Sequence, residues 1–124
     1  MLKKVMVVDD SALIHQMYKM ALQRYKCSII PAKNGQAALD LLAQDPNIDL
    51  ILLDINMPVM GGLEFLQKVK TQGSYSHIPI VIQSTEGKEE DTKRGMELGA
   101  AGYLTKPIQT GALHALVEKL ARSA

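Results

Sequence analysis

Three aspartates, two hydroxyl residues and a lysine in this chain each stand at the end of a short apolar run. Asp9 and Asp10 follow KVMVV, Asp54 closes DLILLD, Ser84-Thr85 follows IPIVIQ, and Lys106-Pro107 follows AGYLT. A carboxylate at the end of a buried strand is costly unless something nearby takes its charge. Three carboxylates brought together repel by on the order of kilocalories per mole each, even at an effective dielectric of about 20. One lysine cannot neutralise them. A hard divalent cation can, and Mg²⁺ binds through one or two carboxylates, several waters and phosphate oxygens. A carboxylate is also a nucleophile toward phosphorus, giving an aspartyl phosphate. Phosphoryl transfer needs little from a protein beyond positioning and charge compensation, which Mg²⁺ and Lys106 would supply.

Whether these groups meet depends on the elements that carry them. KVMVVD (4–9) reads as a buried strand rich in valine. Ser11 then caps a helix whose Ile14, Met17, Tyr18, Ala21, Leu22 and Tyr25 fall on one stripe. CSIIPA (27–32) is a weaker strand, and Pro31 marks an edge position or the strand's end. Asn34-Gly35 turns into a helix carrying Ala38, Leu41 and Leu42, which stops before Asp45-Pro46. The third strand, 49–54, leads through a glycine-bearing loop to a helix with Leu63, Phe65, Leu66 and Val69. After a polar loop (71–77) come a strand at 78–83, a charged helix over 87–98 and a strand at 101–105. Leu113, Leu116, Val117 and Leu120 give the last helix its apolar stripe.

Five βα units imply a mostly parallel sheet with helices on both faces, so its strands are continuous apolar runs. A five-stranded doubly wound α/β sheet of this size most often has strand order 2-1-3-4-5. Ligands in such sheets bind at the carboxyl ends of the strands, where the winding reverses. All the groups named above have that address.

Composition narrows the function classes. The chain has 124 residues, 47% apolar and 22% charged, which suits one globular domain over residues 1–124. A net charge of +1 with no basic stripe argues against direct DNA binding. No stretch is long enough to span a membrane, and Lys3-Lys4 precede an apolar run too short for a signal peptide. The single cysteine, Cys27, excludes an internal disulfide and suits the reducing cytoplasm. It is read as a small buried hydrophobe. His15, His77 and His114 lack ligand spacing, and His15 falls on the polar side of its helix. Met17 belongs to the first helix's core stripe, and the seven methionines form no binding face.

In VVDDS, LLDINMPVMGG, IPIVIQS and GAAGYLTKP the chain resembles the receiver domain of two-component response regulators, most closely the stand-alone kind known from chemotaxis. The resemblance spans essentially the whole chain and implies a flavodoxin-like (βα)5 fold with no output domain. It implies that Asp54 is the phosphoacceptor. Asp10, Asp54 and the backbone carbonyl of Asn56 would ligate Mg²⁺, and Asp9 would reach it through water. Ser84 and Lys106 would contact the phosphoryl group, with Asn56 and Thr85 beside it. Tyr103 would turn inward as Ser84 moves, changing the face formed by residues 87–122. A sensor histidine kinase or phosphotransfer protein would donate the phosphoryl group, and a protein partner would read the altered face. The Lys106–Pro107 peptide would be cis, and Asn56 and Glu86 would flank the path of hydrolytic water.

The chain departs from the family pattern at four positions. Ser84 stands where Thr is commoner, but keeps the hydroxyl. Thr85 replaces a smaller residue, often Ala, and its branched side chain would narrow access to the phosphoryl group for a partner or for hydrolytic water. Gly61 replaces an aspartate. Gln83 is polar where the strand is usually apolar, and the sequence gives no account of it. Two competing readings are a small phosphatase with an aspartate nucleophile and a degenerate receiver acting only as a binding module. The first needs its motif on an early strand and extra segments to enclose a substrate. The second needs a missing site residue, and Asp9, Asp10, Asp54, Ser84 and Lys106 are all in place. Cofactor binding of the flavodoxin kind has only the fold to support it. Taken singly, Asp9-Asp10 and Ser84-Thr85 could be helix caps, Tyr103 packing and Lys106 a solvated lysine. Their shared address favours the switch.

Overall fold

β1 (Lys4–Val8) and β3 (Leu50–Asp54) run side by side at the centre of the sheet. From Val5 to Val8 and from Leu50 to Leu53 no side chain is more than 1% exposed. That burial on both faces is why these runs are apolar without alternation. The computed structural model describes residues 2–55, 61–73, 75–85 and 89–123, the last three as backbone only.

β2 (Ser28–Ala32), β4 (Ile80–Ser84) and β5 (Gly102–Thr105) complete a five-stranded sheet in the order β2-β1-β3-β4-β5. Every pairing is parallel. The doubly wound order expected from the βα alternation is therefore the one observed. Pro31 is tolerated because β2 pairs with β1 alone, which leaves the other side of the strand without a ladder. β4 starts at Ile80, two residues later than the apolar run. Pro79 has no N–H to give the ladder, although its carbonyl accepts from Ile51 N–H at 3.0 Å.

Successive residues of a strand point to opposite faces. Met6, Val8, Ile51, Leu53, Ile80 and Ile82 face α2 (Gly35–Gln44) and α3 (Gly62–Thr71), meeting Ala38, Leu42, Phe65, Leu66 and Val69. α4 (Glu89–Glu97) approaches the same face through Gly95, where an added Cβ would lie 2.6 Å from Ile82 Cδ1. The other face, with Val5, Val7, Leu50, Leu52, Val81 and Leu104, packs on Tyr18 and Leu22 of α1 and its short extension (Ala12–Ala21, then Leu22), and on Leu113 and Val117 of α5 (Thr110–Ser123). Asp54 and Gln83 continue this second face at the carboxyl end.

Helix starts follow the caps. Ser11 Oγ accepts from Ile14 N–H at 3.4 Å, and Asn34 Oδ1 accepts from Ala37 N–H at 2.8 Å. Met17 departs from the expected core stripe. It is half-buried and lines, with the exposed Met20, a groove between α1 and α5 whose far wall is Thr110 and His114. His15, read on the polar side of its helix, is half-buried, and its Nε2 donates to the Asp9 carbonyl at 2.7 Å. Cys27 is half-buried, and burial pushes its thiol up, away from the reactive thiolate. Among the described residues no helix is long and apolar enough to cross a membrane.

Candidate metal centre

The three aspartates meet. Carboxylate oxygens of Asp9, Asp10 and Asp54 lie within 4.8 Å of one another. Asp9 and Asp54 are buried at the ends of the two central strands, whereas Asp10 opens to solvent. Lys106, which follows β5, brings its ammonium to 3.2 Å from Asp54 Oδ2 and 3.6 Å from Asp9 Oδ2. The Lys106–Pro107 peptide is cis.

Asp9 is held from three directions. Its Oδ1 accepts from Ser11 N–H at 2.9 Å, its backbone N–H donates to the Ala32 carbonyl at 3.0 Å, and its own carbonyl receives His15. Burial, aided by the Asp54 and Asp10 charges, raises its carboxyl above the usual range despite Ser11 N–H and Lys106. A cluster of like charges that a single lysine cannot balance, made wholly of carboxylate oxygens with one solvent-open member, is the donor set of a hard divalent cation. The residues fit Mg²⁺.

Beneath the cluster the α1/α5 face carries two more polar groups. Gln83 is fully buried, and its Nε2 donates to Asp9 Oδ2 at 3.5 Å. Tyr18 is also fully buried, and burial followed by the Asp9 and Asp54 charges drives its hydroxyl far up. Among the described residues neither Tyr18 Oη nor Gln83 Oε1 has a hydrogen-bond partner.

On the opposite side Ser84 closes β4, 3% exposed, and its Oγ accepts from Thr92 Oγ1 of α4 at 2.8 Å. The Ser84 carbonyl accepts from Lys106 N–H at 2.8 Å, tying the two strand ends together. Tyr103 points outward from β5 with 54% of its surface exposed. It lines, with Ser84, Thr85, Thr92, Lys93 and Met96, a cavity of about 390 Å³ between β5 and α4. Thr85 is exposed at its rim.

The profile of the response regulator receiver domain matches residues 5–118. This chain belongs to that family. The receiver is 33% identical over 106 residues to a chemotaxis protein CheY homolog of Campylobacter jejuni subsp. jejuni, covering 85% of this chain and 82% of that protein. It is 32% identical over 116 residues to the two-component response regulator ORR7 of Oryza sativa subsp. japonica, covering 94% of this chain but only 55% of ORR7. The high-resolution structure of the chemotaxis response regulator CheY4 of Vibrio cholerae superposes with a TM-score of 0.85 at 37% identity, covering 97% of this receiver and 99% of that chain.

Of the residues singled out in the sequence, Asp9, Asp10, Asp54 and Lys106 lie in one cluster, and Ser84, Thr85 and Tyr103 line the adjoining cavity. Asn56 and Glu86 lie outside the described residues. Four participants escaped the sequence reading: His15, Tyr18, Thr92 and Gly62. At Gly62 an added Cβ would collide with Ile55 Cα and lie 2.6 Å from the Asp54 carbonyl. The glycine-bearing loop was the only signal for it, and that signal did not say which glycine.

Proposed function

We propose that the chain is a Mg²⁺-dependent phosphoacceptor switch that signals through protein contacts and has no substrate other than its own Asp54. The observation that carries this reading is the convergence of Asp9, Asp10 and Asp54 within 4.8 Å, with Lys106 at 3.2 Å from Asp54. Asp10, Asp54 and the Asn56 carbonyl would hold the cation, with Asp9 reaching it through water. When bound, Mg²⁺ neutralises charge on the carboxylates and on the incoming phosphoryl oxygens.

The chain's own residues supply the rest. An Asp54 carboxylate oxygen attacks the phosphorus of a phosphohistidine on a sensor kinase or phosphotransfer protein. The P–O bond forms as the P–N bond breaks, and the imidazole leaves with the electron pair. Lys106 pairs with the phosphoryl oxygens, and Ser84 donates its hydroxyl to one of them. Hydrolysis returns the carboxylate and inorganic phosphate. Between these events a two-state equilibrium shifts, Tyr103 turns inward, and a cytoplasmic protein partner reads the face of residues 87–122. Asn56 and Thr85 would border the phosphoryl group and tune its lifetime.

Intact-protein mass spectrometry after incubation with acetyl phosphate tests the reading. One phosphoryl group should be gained only with Mg²⁺ and should be absent in Asp54→Asn. A folded protein that gains none, or gains it equally in Asp54→Asn, is not this switch.

A further inference from the structure

We propose that Thr92 is a positioning residue for Ser84, a latch that holds the switch hydroxyl against α4 until a phosphoryl group takes it. This inference rests on the reading of Asp54 as phosphoacceptor and concerns how that event reaches α4. The Thr92 Oγ1 to Ser84 Oγ bond, at 2.8 Å, has the ordinary length for two hydroxyls. Among the described residues it is the one hydrogen bond of the Ser84 hydroxyl.

The sheet explains why that hydroxyl cannot face both partners at once. Ser84 continues the face of Ile80 and Ile82, which α4 covers, whereas Asp54 continues the opposite face with Leu50 and Leu52. The Ser84 main chain is pinned by its pairing with Thr105 and by Lys106 N–H on its carbonyl. What remains free is rotation about one side-chain bond among three staggered positions. Pointing at α4 satisfies Thr92, and pointing over the strand end satisfies a phosphoryl group on Asp54. A buried hydroxyl stripped of a partner is costly, so in the unphosphorylated chain the latch stabilises the α4-facing position. A phosphoryl oxygen would accept from the Ser84 O–H in a charge-assisted bond, stronger than the neutral one that Ser84 Oγ accepts from Thr92, and so can draw the side chain over the strand end.

The exchange carries the signal outward. Thr92 is half-buried and shares the cavity with Tyr103, Lys93 and Met96. Release of Ser84 therefore acts directly on the helix that forms one wall of the proposed partner face. By linkage, whatever seats on that wall and disturbs Thr92 must ease phosphoryl capture by the same factor.

The test uses the full chain and beryllofluoride, a phosphoryl mimic that adds to a carboxylate, followed by ¹⁹F NMR titration with Mg²⁺. Thr92→Val removes the latch hydroxyl at nearly constant shape and should bind the mimic about 2- to 10-fold more tightly, the worth of one net hydrogen bond. Thr92→Ala removes the same hydroxyl and should do likewise, which covers the case of one variant folding poorly. Thr92→Ser keeps the hydroxyl and should restore wild-type affinity, a rescue that a purely structural threonine would not show. Equal or weaker binding by both Val and Ala variants overturns the latch. A wild-type chain that binds no beryllofluoride overturns the phosphoacceptor reading and the latch with it, whereas normal wild-type binding with an unchanged ratio overturns the latch alone.

Discussion

Gln83 Nε2 lies 3.5 Å from Asp9 Oδ2, a contact at the long limit of hydrogen bonding between residues 74 apart in the chain. The amide offers one weak donor to a carboxylate that already receives Ser11 N–H and lies near Lys106. Its acceptor, Gln83 Oε1, is buried without a partner among the described residues. A buried amide on those terms costs more than it returns. Gln83→Leu should therefore raise unfolding stability by about 1 kcal/mol in urea denaturation. Tyr18→Phe removes the buried hydroxyl that also has no partner among the described residues, and should gain a similar amount. A loss of stability in both variants would mean that the two groups are satisfied in solution and that the pair supports the fold.

The pH dependence of the cluster has a definite sign. Burial foremost, then the Asp54 charge, holds the folded-state value of Asp9 above its unfolded value of 3.8. The folded chain thus binds that proton more tightly than the unfolded chain. The contribution of Asp9 is most favourable below the unfolded value and is lost as pH rises through the folded one. Without divalent cations, Asp9→Asn should be more stable than wild type at neutral pH by about 1–2 kcal/mol. That advantage should shrink as the buffer is acidified through the same window. It should also shrink on adding Mg²⁺, which binds and stabilises the wild-type folded state. Urea titrations at neutral and acid pH, with and without Mg²⁺, read all three effects, and an Asn variant less stable at neutral pH contradicts the charge argument.

Much of this was legible in the sequence for a local reason. Val5–Val8 and Leu50–Leu53 announce buried parallel strands by their composition, and Ser11 and Asn34 announce helix starts by their side chains. Topology rules then carry Asp9, Asp10, Asp54, Ser84 and Lys106 to one end of the sheet without any knowledge of side-chain geometry. The misses share a different cause. Met17 lies one step along α1 from fully buried Tyr18, yet faces the groove toward His114. Helical period fixes which residues share a stripe but not how that stripe is rotated against its neighbours. Thr92 on Ser84 and His15 on the Asp9 carbonyl depend on the same rotational phase. Gln83 had no explanation in sequence because its partner is a strand away.

Gly62 opens α3 with its backbone pressed against the end of β3. A methyl group there would overlap Ile55 Cα and come within 2.6 Å of the Asp54 carbonyl, both main-chain atoms that cannot swing aside. Gly62→Ala should therefore cost about 1–3 kcal/mol of stability, the usual cost of forcing bulk into a packed site. It should also slow phosphorylation of Asp54, because the strand end itself must shift. Urea denaturation and the rate of phosphoryl gain from acetyl phosphate measure the two effects. Full stability in the alanine variant would show that the helix start can slide away at no cost.

Thr85 stands next to the latched Ser84, exposed at the rim of the cavity that Tyr103 also lines. Its branched side chain occupies space that a smaller residue would leave to solvent. Under the phosphoacceptor reading that space lies beside the phosphoryl group, where attacking water must approach in line with the P–O bond being broken. Thr85→Ala removes the obstruction without touching Asp54, Lys106 or the Ser84 hydroxyl. The aspartyl phosphate should then decay about 3-fold faster, a barrier lowered by about 0.7 kcal/mol. Mass-spectrometric decay of the phosphorylated chain, after removal of acetyl phosphate, gives that rate directly. Because Thr85 is exposed, its truncation should leave urea stability within about 0.5 kcal/mol of wild type, which separates access from folding. An unchanged lifetime would mean that water reaches the phosphorus from another side, and Thr85 would drop out of the site.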